Sequence, residues 1–514
     1  MVAKRQKTVS IKEFYNSFSK KLHTPKWLFL LLLMVLLLRI PSFFEPYSYG
    51  DEMIYLTLGE AIRRGIPLYS GIHDNKPPLL YLMAAIAGNL FWFKAILAIW
   101  HIVTVFLFWK LSVLLFPKKE KLHKVATIIF ALLTTLPLFE GNIANAEIFM
   151  IGPIIGAFLL IWSEQKKPNP KKILAGGILI SAATLFKIPA AFDLGGVVFL
   201  WIIANKGILK SFRQLVVKTI YLSVGFLIPI AVTFIWYGAA GALSEYLAAA
   251  FGQNLGYLSS WRPGDIQKPF LVRNAPLLFR SLMVGTGLII LYLKRSKLSK
   301  QFVFISGWLL FTLFAVTLSE RPYPHYFIQS IAPISILTAI LFTDKTKEQV
   351  YTIIPLTLAF FVPVYFNFWY YPTTPYYLKF IKLATGNISK EENLSTFGNN
   401  VITNYKVADY IVGATRADEK VFVWGDSPAI YALSRRFPPG KYVADYHIRD
   451  FSTYKETIKN LSVDFPKIIV ILPNANSVPE FLMFLRENYI LIESIDGAQI
   501  WSSLSPRVRA IMAR

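Results

Sequence analysis

The chain has 514 residues, 54% of them hydrophobic and 16% charged, with a mean hydropathy of +0.47, which excludes a soluble protein of this size and points to a polytopic membrane protein. Its net charge of +24 is not a nucleic-acid footprint, because the lysines and arginines stand in short runs between apolar segments, as in cytoplasmic membrane loops; attraction to anionic lipid comes second. The lack of cysteine excludes disulfides, thiol catalysis and thiolate metal sites.

Residues 1–26 are basic and polar and read as a cytoplasmic tail; the apolar run after them has no small-residue cleavage site and reads as a retained anchor. Runs fit to cross a bilayer lie at 27–44, 79–116, 125–139, 146–163, 173–187, 189–204, 215–237, 275–293, 302–318, 326–343 and 349–369. Basic clusters at 117–124 (PKKEKLHK), 164–172 (EQKKPNPKK), 205–218, 294–300 (KRSKLSK) and 344–348 join the tail on the inner face. The outer face then receives 45–78, 140–147, 187–193, 238–274 and 319–325. Parity requires 79–116 to cross once, although it is nearly long enough for two helices, which predicts a broken or interfacial piece at 79–93 and then one full span. The result is a helical membrane domain at 27–370 with about eleven crossings, and everything beyond 370 outside.

The outer loop 238–274 is long, with a helical stretch at 243–251 and turn-forming Gly256, Pro263 and Gly264; loops of this size are functional or mobile. A linker, 371–400, leads to a small α/β domain at 401–514. There, helices are predicted at 407–412, 428–433 and 480–487, and strands at 420–424, 467–472, 490–495 and 499–502. WGDSP follows a strand without G-x-G-x-x-G, so nucleotide binding lacks support.

The polar groups of the outer face carry the candidate chemistry. Asp51 and Glu52 follow the first span: a carboxylate there can take a proton from an attacking hydroxyl, or be a solvated acid at a helix N-terminus. Glu147, in GNIANAEIFM, reads by itself as a helix N-terminal acid. Lys76, in DNKPPLLY, can hold a phosphate while two prolines fix the loop, or can snorkel. Arg321 and His325, in RPYPHYF, are cations at an interface where aromatics are ordinary, and phosphate contact suits them. Lys187, in LFKIPAAFD, reads as a snorkelling lysine or an ion-pair partner of Asp193. There is no HExxH, glycine phosphate loop or cation-loop spacing, and six scattered histidines leave a metal site without support. A catalyst acting on an acceptor hydroxyl, a transporter or lipid flippase, a non-enzymatic envelope scaffold and an oligosaccharide ligase are the competing readings of these groups.

The order GDE (50–52), Tyr55, GIPLY (65–69), D-x-K-P-P-L (74–79), NAEIF (145–149), LFK (185–187) and HYF-x-Q-x-x-x-P (325–333) resembles the polytopic glycosyltransferases of the protein O-mannosyltransferase and aminoarabinose transferase type, of GT-C architecture. The resemblance spans 27–370, and the tail is similar to the outer-face domain of some bacterial members. It implies an inverting transferase of the cell membrane, with active site and C-terminal domain on the extracytoplasmic side. The donor would be a polyprenyl-phosphate sugar, and the acceptor a hydroxyl of protein, lipid or glycan. Asp51 would be the base and Glu52 its helper; Lys76, Arg321 and His325 would stabilise the lipid phosphate; Glu147 would position the acceptor or a divalent metal. Tyr55, Asp74, Lys187 and Tyr326 complete the implied substrate-binding set, and 238–274 would be a substrate-gated cover. Many members have Asp at the second acidic position, where this chain has Glu147.

Overall fold

Leucine-rich α1 (Lys26–Arg39) keeps its charges at its two ends, as a membrane-crossing helix should. Pro41 opens a short 3-10 turn, and α2 (Gly50–Arg63) follows. α3 (Leu79–Ala87) stops at Gly88, which is left-handed at φ 71°, and α4 (Leu90–Leu115) restarts with the Asn89 side chain capping the Trp92 N–H. A broken piece followed by one long helix is the arrangement parity demands of 79–116. The computed structural model describes residues 24–166, 168–204, 208–256, 268–505 and 508.

The bundle continues with α5 (Glu120–Leu133), α6 (Ala146–Lys166), α7 (Pro170–Thr184), α8 (Asp193–Ala204), α9 (Ile208–Ala239), α10 (Phe270–Lys294), α11 (Lys300–Val316), α12 (Ile328–Thr343) and α13 (Ile353–Tyr365). Among the described residues, seven helical stretches are long and apolar enough to cross a membrane, and 188–204 and 300–316 are shorter apolar helices. α6 and α12 are mostly enclosed, whereas α10 leaves Phe279, Leu282 and Ile289 exposed as a lipid-facing helix does. Of the long loop, residues 238–256 and 268–274 are described, and between the ends of α9 and α10 they include the short helices Leu243–Leu247 and Gln253–Gly256 joined by a π turn at Ala248–Gly252. Pro263 and Gly264 lie outside the described residues, as does most of the basic tail.

The basic connections are tied to one another at one end of the bundle. Lys119 pairs with Asp344, Lys218 with Glu164 at 2.9 Å, Lys300 with Gln165, and the Ser299 hydroxyl with Glu348 at 2.8 Å. The loops 45–78, 140–147, 187–193 and 319–325 gather at the other end, beneath the C-terminal domain.

The stretch 371–400 is not an open linker: α14 (Thr373–Ala384) lies against the bundle, with Tyr377 donating to the Leu38 carbonyl at 3.0 Å and Tyr376 to Glu45. After α15 (Lys390–Ser395) come α16 (Val401–Ala414), β1 (Val421–Trp424), α17 (Pro428–Ser434), α18 (Asp445–Phe451), α19 (Tyr454–Val463), β2 (Ile468–Ile471), α20 (Pro479–Asn488), β3 (Tyr489–Ile495) and β4 (Ala498–Ser503). The sheet order is β1-β2-β4-β3: β1 and β2 are parallel with Val421 opposite Ile468, and the other pairings are antiparallel. The parallel pair, VFVW and IIVI, is apolar on both faces because helices cover it. Asp496-Gly497, both at positive φ, turns β3 into β4. The domain is fastened by the His73 N–H donating to the Lys441 carbonyl at 2.8 Å, Arg64 to the Ala417 carbonyl at 3.1 Å and the Tyr405 hydroxyl receiving the Tyr47 N–H at 3.1 Å.

Candidate active site

α2 presents Asp51 in its first turn, and Tyr55, one turn on and on the same face, donates to Asp51 Oδ2 at 2.8 Å. Glu52, about 100° further round the helix, points elsewhere. It is 2% exposed, accepts the Ala144 N–H at 2.6 Å and pairs at 2.7 Å with Lys94, which Glu45 also holds at 2.9 Å. The expectation of Glu52 as helper to the base is thereby corrected: it ties the first outer loop to α4 and to 140–147.

The loop 73–78 brings Lys76 to 3.7 Å from Asp51 Oδ2, 3.7 Å from Asp74 Oδ2 and 5.0 Å from the Tyr55 ring centre. Asp74 is buried, and accepts the Tyr81 hydroxyl and the Asn75 N–H, each at 2.7 Å. Burial resists its ionisation, but Lys76, His447 and these two hydrogen bonds overcome it and hold its pKa down to about 2. Burial opposes charge on Asp51 too; Lys76, then His325 and the Tyr55 hydrogen bond, outweigh it and keep the carboxyl below its ordinary range.

Across the cavity, Glu147 opens α6 and is gripped by Lys187, whose ammonium sits 3.5 Å from the Tyr326 ring centre. Lys187 does not pair with Asp193, which accepts from Trp308 Nε1 at 2.6 Å and Gln329 Nε2 at 2.8 Å. His325 turns Nδ1 to Glu140 and Nε2 to Glu147 Oε1 at 3.8 Å, so carboxylates stand against both ring nitrogens. Asp51, Tyr55, Asp74, Lys76, Glu147, Lys187, Arg321, His325 and Tyr326 all line one cavity of about 610 Å³; Glu52 does not.

Other residues belong to this site without having stood out in the sequence. Glu140 accepts from the Tyr49 hydroxyl at 3.0 Å and Asn145 Nδ2 at 3.3 Å at a φ of 57°, and its only signal was an acid in the same outer loop as Glu147. From the C-terminal domain, α18 contributes Tyr446, His447, Arg449, Asp450 and Phe451 to the cavity wall. Its short polar sequence, DYHIRDF, has no periodicity to reveal it. No group of three or more His, Asp or Glu side chains among the described residues is arranged to hold a metal, and Glu147 is taken by Lys187, so its expected metal role finds no donor set here.

A helical membrane bundle whose polar end holds a carboxylate- and cation-lined cavity beneath a small α/β domain has the GT-C architecture. ArnT from Cupriavidus metallidurans, solved bound to undecaprenyl phosphate, matches with a TM-score of 0.55 at 11% identity over 93% of this chain and 98% of its own. The Archaeoglobus fulgidus oligosaccharyltransferase, solved with Zn and sulfate, gives a TM-score of 0.44 at 13% identity over 92% of this chain and 73% of its own. At such identities likeness speaks for fold alone, and here the first carries it. No protein-family model and no curated protein matches the sequence.

Proposed function

We propose that the chain is a membrane glycosyltransferase that moves a sugar, with inversion, from a polyprenyl-phosphate carrier to an acceptor hydroxyl of protein, lipid or glycan at the extracytoplasmic face. The observation that carries this reading is one cavity in which the ionised Asp51 stands beside Lys76 and opposite Lys187 and Arg321. The undecaprenyl phosphate bound by ArnT, which has the same fold, supports a carrier of that chemistry. The extracytoplasmic face is supported by the basic connections, which gather at the opposite end and favour the cytoplasm.

Asp51 accepts the proton of the acceptor hydroxyl as that oxygen attacks the anomeric carbon. The bond from that carbon to the phosphate oxygen breaks, and the carrier phosphate leaves with the electron pair. Lys76, Lys187 and Arg321 offset the charge developing on it. His325, held by two glutamates, orders that wall rather than meeting the phosphate.

Membranes carrying wild type or Asp51→Asn, given a panel of polyprenyl-phosphate sugars, test the reading. Wild type is expected to release or transfer sugar, and the variant to retain donor binding while losing about 10²–10⁴-fold in rate. If no donor turns over while a lipid or sugar crosses the bilayer, the protein is a transporter instead.

A further inference from the structure

We infer that His447, in the C-terminal domain, is a positioning residue of the active site: it engages Asp74, and through Asp74 decides how firmly Lys76 stays with Asp51. The catalytic part of this inference rests on the proposed transferase reading. It makes the α/β domain part of the catalytic unit and not an appended module.

The groups form one line across the domain boundary. His447 Nε2 lies 3.4 Å from Asp74 Oδ1, Asp74 Oδ2 lies 3.7 Å from Lys76 Nζ, and Lys76 Nζ lies 3.7 Å from Asp51 Oδ2. One ammonium is thus shared by two carboxylates at equal distances. Which of them holds it depends on how well each is satisfied by other donors. Asp51 has the Tyr55 hydroxyl; Asp74 has the Tyr81 hydroxyl and the Asn75 N–H, and the His447 ring stands against its other oxygen with Nε2 at 3.4 Å. Burial lowers the proton affinity of His447, and the carboxylate facing Nε2 favours the neutral tautomer protonated there. The ring thereby sets the polar edge at Nε2, 3.4 Å away, against Asp74 without adding a net charge to the site. With that contact gone, Asp74 draws harder on Lys76, and Asp51 loses part of the charge that keeps it ionised.

His447 is not what fastens the domain at this point. The His73 N–H donates to the Lys441 carbonyl, the His73 ring meets Tyr442 and Phe451 at centre distances of 5.2 and 5.5 Å, and His73 Nε2 is 3.0 Å from Gln253 Oε1. Within the membrane domain, Asn254 Nδ2 holds the 73–78 loop by donating to the Asn75 carbonyl at 2.8 Å. These anchors survive replacement of His447, so an effect on chemistry is separable from undocking.

His447→Phe keeps a ring against Tyr446 and Phe451 but removes the N–H; His447→Gln keeps a neutral N–H donor. In membranes carrying the full-length protein, kcat for sugar transfer is expected to fall about 10–100-fold in His447→Phe, the scale of an approximately 1 Å misplacement. The acid limb of its rate profile should rise by about one pH unit. His447→Gln should recover most of both. The groups facing Asp51 (Lys76, Asp74, Tyr55, His325 and, further off, Lys187) are unchanged throughout. A second readout needs no turnover: the pH dependence of carbodiimide modification at Asp51, followed by mass spectrometry, should move upward in His447→Phe alone. Should His447→Phe not accumulate, His447→Leu carries the same expectation. An unmoved acid limb and modification profile, or a loss that His447→Gln does not rescue, overturns the inference. A wild type inactive on every donor overturns the transferase reading, and the modification profile still decides the role of His447.

Discussion

A carboxylate proposed as general base must remain charged where water is scarce, and at Asp51 the largest favourable influence is Lys76. Lys76→Met removes it. The Asp51 pKa then rises, so transfer that depends on the ionised carboxylate persists above the new value and is lost at a higher pH as the solution is acidified. The acid limb of kcat/KM should move upward, and kcat on the plateau should fall about 10²-fold through loss of phosphate stabilisation. An unmoved limb would remove Lys76 from the first role, and an unchanged plateau from the second. At this scale the sequence disclosed which residues are chemically unusual, because acids and cations on the outer face stand out against a positive-inside pattern. It did not disclose who pairs with whom. Asp51 and Glu52 are neighbours in the chain, yet helical geometry sends one to the cavity and the other to Lys94. Lys187 and Asp193 are close in sequence, yet Lys187 reaches Glu147 on another helix.

Elements were most legible where an apolar period or run dominates, as in α4 and in the strands IIVI and VFVW, and least where packing decides. The helix α14 hides in TTPYYLKFIKLA because its tyrosines are anchored by Glu45 and the Leu38 carbonyl, which only the fold brings near. The close crossing of α7 and α9 is likewise invisible from periodicity. A Cβ on Gly225 would lie 2.1 Å from the Leu174 carbonyl oxygen, and one on Gly177 would lie 2.2 Å from that of Leu222, so the helices meet backbone to backbone. Gly225→Val must force them apart. It should cost about 1–3 kcal/mol or more, seen as a lowered Tm in detergent, and should weaken transfer because α7 leads directly to Lys187. Gly238→Ala, in the same helix where nothing lies within 4 Å of an added Cβ, should leave Tm unchanged or slightly raised. Equal tolerance of both would mean that α7 and α9 do not cross here.

Over the whole molecule, charge separates the two ends of the bundle. The loops 117–124, 164–172, 205–218, 294–300 and 344–348, spread over more than two hundred residues, are linked by the pairs Lys119–Asp344, Lys218–Glu164, Lys300–Gln165 and Ser299–Glu348. They therefore share one membrane face, and turning any of them over alone would break pairs as well as the charge rule. The cavity and the sheet lie at the opposite end, so one choice of side orients the entire protein. With no native cysteine to give background, single substitutions report that choice cleanly. Lys459→Cys, exposed on α19, should react with a membrane-impermeant maleimide in intact cells, whereas Lys118→Cys, exposed between α4 and α5, should react only after permeabilisation. Reversed accessibility would place the cavity on the cytoplasmic face and end the extracytoplasmic reading while leaving the catalytic one standing. Reaction of both from the same side would contradict the division into two ends, and with it the route by which Asp51, Lys187 and α18 come to share a cavity.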